Sequence, residues 1–169
     1  RQEITTSTAD AASVAFRPST FDSRPSTMKI TDLKIDGFGV WHDLTLRGLS
    51  PELTVFYGPN EAGKSTLMQF MRSVLYGMTP TRRERYLPPV VGGRPGGWLK
   101  VETEHGPLTI SRYADRGPTY VGKVTIITAD GEEQGDRLLR ESLEHVDEPT
   151  YLNIFAVGLR EVQELNSLS

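Results

Sequence analysis

Residues 58–65 read Gly58-Pro59-Asn60-Glu61-Ala62-Gly63-Lys64-Ser65, followed by Thr66, and this stretch decides the fold. It satisfies the pattern G-x-x-x-x-G-K-[ST] in full. Glycines let the backbone wrap tightly, with amide groups turned inward toward phosphate oxygens. The loop then empties into a helix, whose first N–H groups lack intrahelical acceptors and whose positive dipole end attracts anions. Lys64 is placed to reach the β- and γ-phosphates as a point charge, and the Ser65 hydroxyl to ligate Mg²⁺. Thr66 reads as a helix residue near the phosphates rather than a second metal ligand. Positions 58 to 66 are therefore the candidate phosphate-binding set, with Lys64 also the candidate catalytic cation.

The flanks supply the context that the motif requires. Residues 53–57 (LTVFY) are a short apolar run rich in β-formers, which predicts a strand covered on both faces in a parallel sheet. Residues 64–76 predict a helix with Leu67, Met68, Met71, Val74 and Leu75 on one face, and Gly77 stands where a C-terminal cap belongs. Strand, loop and helix in that order read as an α/β fold. The competing reading is a glycine-rich strand-to-helix turn that binds nothing.

Upstream, residues 28–36 (MKITDLKID) alternate as a strand. Gly37 and Gly39 punctuate a turn around Phe38, Val40 and Trp41, and residues 44–46 suggest a short second strand. Downstream, Arg82, Arg83 and Arg85 lie in a proline-rich loop near Tyr86 and Arg94. That loop is either a solvated surface or a basic patch for DNA phosphates. Residues 98–104, 108–113 and 120–128 predict strands, the last turning at Asp130-Gly131. Residues 136–146 predict a helix with Leu139, Leu143 and Val146 inward, and Pro149 opens another. Residues 155–159 read as a final strand, with 161–168 as a tail.

Composition narrows the class. The chain has 169 residues, 37% hydrophobic and 24% charged, so a globular domain with a real core is expected. No apolar run approaches the roughly 18 residues that a membrane-spanning helix needs. With no cysteine there is no disulfide framework or thiolate metal site, which fits a reducing cytoplasm. The net charge of −3 leaves any DNA contact to a local patch or to a larger molecule. His42, His105 and His145 lack metal-ligand spacing. Residues 1–27 are rich in Ser and Thr and show no apolar period, so disorder is expected there, with the folded domain spanning 28–169.

The loop GPNEAGKST, preceded by MKITDLKIDGFG, resembles the N-terminal head segment of the SbcC/YhaN-like branch of SMC-related ABC ATPases. The resemblance runs from Met28 to the end, and the loop and first strand are its specific parts. It implies the N-terminal lobe of a P-loop NTPase head of ABC/SMC type, with a mixed sheet and an antiparallel β-subdomain. It also implies ATP and Mg²⁺ as cofactors. In such proteins a long coiled coil separates this lobe from a C-terminal lobe of the same chain, and two heads form a homodimer around ATP. A metallo-phosphoesterase nuclease is a frequent partner, and the biology is DNA repair or maintenance. The family also places a glutamine after a strand beyond the helix, near Mg²⁺ and the γ-phosphate. Gln163 is the match, as a metal-ligating and catalytic candidate, against a solvated glutamine. Phe38, Trp41 and His42 fall where the family sets residues near the base and ribose, although aromatics there are also ordinary core.

A complete hydrolase needs further acids. The nearest imitation, residues 124–132 (VTIITADGE), is interrupted by Thr128 and Ala129 and carries a strong hairpin signal at Asp130-Gly131. No L-S-G-G-type signature or following switch histidine occurs. The chain is thus expected to bind nucleotide weakly and turn it over little alone. The alternatives are a complete small P-loop NTPase, a transporter-type ATPase subunit, or a non-catalytic module using nucleotide as a structural ligand. A GTPase would want an Asn-Lys-x-Asp segment, which is absent.

Overall fold

The computed structural model describes residues 5–7, 28–104, 106–114 and 122–154. In chain order the elements are β1 (Thr5–Ser7), β2 (Lys29–Phe38), β3 (Trp41–Leu46), β4 (Val55–Tyr57), α1 (Lys64–Tyr76), α2 (Pro80–Tyr86), β5 (Gly96–Thr103), β6 (Gly106–Tyr113), β7 (Lys123–Ile127), β8 (Glu133–Gln134), α3 (Asp136–Ser142) and α4 (Glu148–Ile154). Six of the strands make one antiparallel sheet in the order β3-β2-β5-β6-β7-β8.

Alternation decides which face of that sheet is dry. Leu33 pairs with Leu99, Leu99 with Ile110, and Ile110 with Ile126, so the four share one face and all are fully buried. Helix α1 lies on this face, over β2, β5 and β6. It buries Leu67, Phe70, Val74 and Leu75, each contributing about 1.5–3 kcal/mol of apolar burial. The inward stripe differs from expectation at one place. Phe70 is fully buried while Met68 and Met71 are only half-buried, because the ring sits directly on Gly97 of β5. A side chain at position 97 would meet Phe70 Cζ at 2.9 Å and the Lys34 carbonyl at 2.0 Å, so a glycine gives the helix its seat. Gly77 closes α1 by donating its N–H to the Ser73 carbonyl, 3.0 Å away.

Other expectations change as well. The run at 53–57 becomes the short strand β4, which pairs antiparallel with β1 rather than in a parallel sheet. Only Phe56 turns toward the core, while Leu53, Val55 and Tyr57 are 60%, 45% and 50% exposed. All strand pairings among the described residues are antiparallel, so the expected mixed sheet does not form there. An apolar run reads alike whether one face or both are covered. The segment 1–27, expected to be disordered, lies outside the described residues except for β1.

The arginine-rich stretch is helical, not a loop. Thr79 caps α2 by accepting the Arg82 N–H at 3.4 Å, and Pro80 occupies the first turn, where its missing N–H costs nothing. The helix expected over 136–146 stops at Ser142, where Glu144 and His145 take positive φ, and α4 begins at Glu148. Its Leu139 is buried, while Leu143 and Val146 are half-buried. The Asp130-Gly131 turn stands as read, joining β7 to β8 with Gly131 N–H donating to the Thr128 carbonyl at 3.0 Å. The strand and tail expected over 155–168 lie outside the described residues.

Candidate functional site

The loop between β4 and α1 is built around two left-handed residues. Glu61 has φ 67° and Gly63, the N-cap of α1, has φ 85°. Gly63 is indispensable to this turn, because a side chain there would meet the Trp41 ring at 2.6 Å. Trp41 itself is buried and donates its indole Nε1–H to the Gly63 carbonyl at 3.1 Å. The first residue of an edge strand thus clamps the loop from one side. The neighbouring turn presses on α1 as well, since a side chain at Gly39 (φ 55°) would meet Thr66 Cγ2 at 2.7 Å. In turn the backbone of Gly39 is held by Tyr86 and Val90, at 2.9 and 2.8 Å.

Inside the loop, Lys64 folds back and donates from Nζ to the carbonyls of Gly58 and Pro59, at 2.8 and 2.7 Å. Its ammonium therefore stands within the turn. Ala62 is buried, Ser65 is exposed, and Pro59, Asn60 and Glu61 face solvent. The start of α1 has no acidic residue in its first turn and no side-chain cap. Its leading N–H groups are thus left without a side-chain acceptor of their own, next to a cation and a hydroxyl. That combination suits a polyphosphate with a bound divalent ion.

Gly58, Pro59, Asn60, Glu61, Ala62, Gly63, Lys64, Ser65 and Thr66 accordingly come together at one strand-to-helix junction. Phe38 and Trp41 are core residues. Phe38 is fully buried, its ring stacked on Tyr86 at 4.9 Å and edge-on to Phe70 at 5.7 Å. His42 is exposed. Gln163 lies outside the described residues. Asp130 is an exposed turn residue after β7, four strand spacings from β3 and so roughly 20 Å across the sheet. It has no place at the loop. The structural part of Trp41 was not readable from its motif position, because the contact joins residues 22 apart in sequence.

The AAA-domain family matches residues 28–165. The chain is also 31% identical over 146 residues to the uncharacterized protein YhaN of Bacillus subtilis (strain 168), a match covering 85% of this chain and 14% of that relative. No helix among the described residues is long and apolar enough to cross a membrane. With its phosphate-loop motif, its helix-borne lysine and these matches, the chain belongs to the AAA-domain family, as a segment of an SMC-related P-loop ATPase.

Proposed function

We propose that this chain binds ATP with Mg²⁺ and forms the N-terminal half of an SMC-like ATPase head acting in DNA repair or maintenance. The observation that carries this reading is the ammonium of Lys64 held inside a left-handed loop that opens onto the uncapped start of α1. The backbone amides of residues 58–65 would hold the phosphates, Lys64 would exchange its two carbonyl partners for phosphate oxygens, and Ser65 would ligate Mg²⁺. Bound Mg²⁺ would neutralise charge on the β- and γ-phosphates. Gln163 is proposed as a second metal-side residue. Trp41 holds the loop through its bond to the Gly63 carbonyl, and the turn at Gly39 packs against Thr66.

Hydrolysis depends mainly on positioning and charge stabilisation, and one lobe supplies only part of each. The solvent-facing Leu53, Val55 and Tyr57, next to the loop, suit a cover by the C-terminal lobe of the longer protein. A homodimer of heads would complete two sites, with DNA and a metallo-phosphoesterase nuclease as partners of the full-length protein in the cytoplasm. The test is the ATPase rate of this chain with and without the C-terminal segment. A large gain on adding the segment, abolished by Lys64→Ala, is expected. Equal rates with and without it would overturn the half-site reading.

A further inference from the structure

Between α1, α2 and the start of α4 is a hollow of about 590 Å³, lined by Arg72, Arg82, Arg85, Thr79, Gln69 and Glu148. Three guanidinium groups and one carboxylate line it. Arg72 and Arg82 converge on one oxygen of that carboxylate. Arg72 donates to Glu148 Oε1 from Nε at 3.1 Å and from Nη2 at 2.8 Å, and Arg82 Nη2 donates to the same atom. Arg82 is held rigidly, donating from Nη1 to the Gly77 carbonyl at 2.7 Å. Burial, and then the charge of Arg72, push its guanidinium down to about 10. Two closely spaced arginines thus share one carboxylate oxygen, where a tetrahedral oxyanion offers several.

Glu148 is also the group best able to leave. Its side chain is 23% exposed, against 15% for Arg72 and 7% for Arg82. Helix α4 is tethered elsewhere, through the Tyr76 and Tyr151 rings at 5.2 Å and the Tyr76 hydroxyl donating to the Val146 carbonyl at 3.3 Å. Arg85 is exposed at the rim, over the Tyr86 ring at 5.6 Å, and adds the third cation.

We propose that this hollow is a second phosphate site, separate from the loop at 58–65, in which Glu148 is a built-in counter-ion displaced by an incoming phosphate group. The phosphate comes either from a nucleic-acid backbone or from a free ion, and both present the same oxyanion to the two fixed guanidinium groups. The site does not depend on the nucleotide reading of the loop.

The experiment uses the full chain carrying Lys64→Ala, which removes the loop's ammonium from the measurement. Inorganic phosphate and a 20-base-pair DNA duplex are titrated separately, at low salt, into that chain and into versions adding Glu148→Gln or Arg85→Glu. Circular dichroism checks that each version is folded. Glu148→Gln should tighten binding about tenfold and Arg85→Glu weaken it about tenfold, since each changes the charge of the hollow while keeping both Arg72 and Arg82. Changes seen with the duplex, steepened by lowering salt, identify a nucleic-acid backbone as the source. Changes seen only with inorganic phosphate identify a free ion. Binding indifferent to both substitutions, or no binding of either probe, overturns the proposal.

Discussion

Replacing Gly63 with alanine puts a methyl group where the Trp41 ring already stands. The new Cβ would lie 2.6 Å from Cζ2, 2.8 Å from Cε2 and 2.9 Å from Nε1. The ring cannot swing aside, because Trp41 is only 5% exposed and is tied to the Gly63 carbonyl. Two costs add. Holding a non-glycine residue at φ 85° costs about 1–2 kcal/mol. Overpacking against a fixed ring costs about 1–3 kcal/mol. Gly63→Ala should therefore destabilise the chain by about 2–5 kcal/mol, read as a lower midpoint in urea at unchanged slope. A double-mutant cycle separates the terms. In a Trp41→Leu background the clash is gone, so the same substitution should cost only about 1–2 kcal/mol. Equal costs in both backgrounds would refute the clamp. A cost below about 0.5 kcal/mol in the natural sequence would refute the left-handed geometry itself.

Two further outcomes follow from features outside the loop. Thr79→Ala removes the side-chain acceptor at the start of α2 and should cost about 1 kcal/mol in urea unfolding, with Thr79→Ser restoring most of it. The Tyr113 hydroxyl donates to Asp36 Oδ2 at 2.6 Å, and burial first, then Asp36, raise its pKa to about 12 from the ordinary 10. A raised pKa means that the folded state holds the proton more tightly, so this contribution is complete below pH 10 and lost as pH rises toward 12. Stability across that interval should fall more steeply in the natural chain than in Tyr113→Phe. Parallel curves would show that the hydroxyl is not held in this way.

The parts of the fold that were legible in the sequence are those specified locally. The loop pattern, the helix it opens, the Gly77 cap and the Asp130-Gly131 hairpin each depend on residues adjacent in the chain. Other parts depend on what a segment meets in space. Phe70 rather than Met68 points inward because Gly97, on a strand far along the chain, leaves room for its ring. Residues 53–57 read as a doubly buried strand, yet Leu53, Val55 and Tyr57 are exposed, since apolarity alone does not say how many faces have partners. Helix α2 is masked by its arginines and the prolines that follow it, although Thr79 followed by Pro80 is a helix-start signal. The hollow shared by Arg72, Arg82 and Glu148 joins residues up to 76 positions apart and has no local signature.

The most direct measurement is calorimetric titration of ATP with Mg²⁺ into the natural chain and into Lys64→Ala. The ammonium should supply about 1.5–3 kcal/mol as charge-assisted hydrogen bonds, so binding should be weak, Mg²⁺-dependent and at least about tenfold lower in the variant. Equal binding by both chains, or binding unaffected by Mg²⁺, would contradict the phosphate-holding loop on which the account rests.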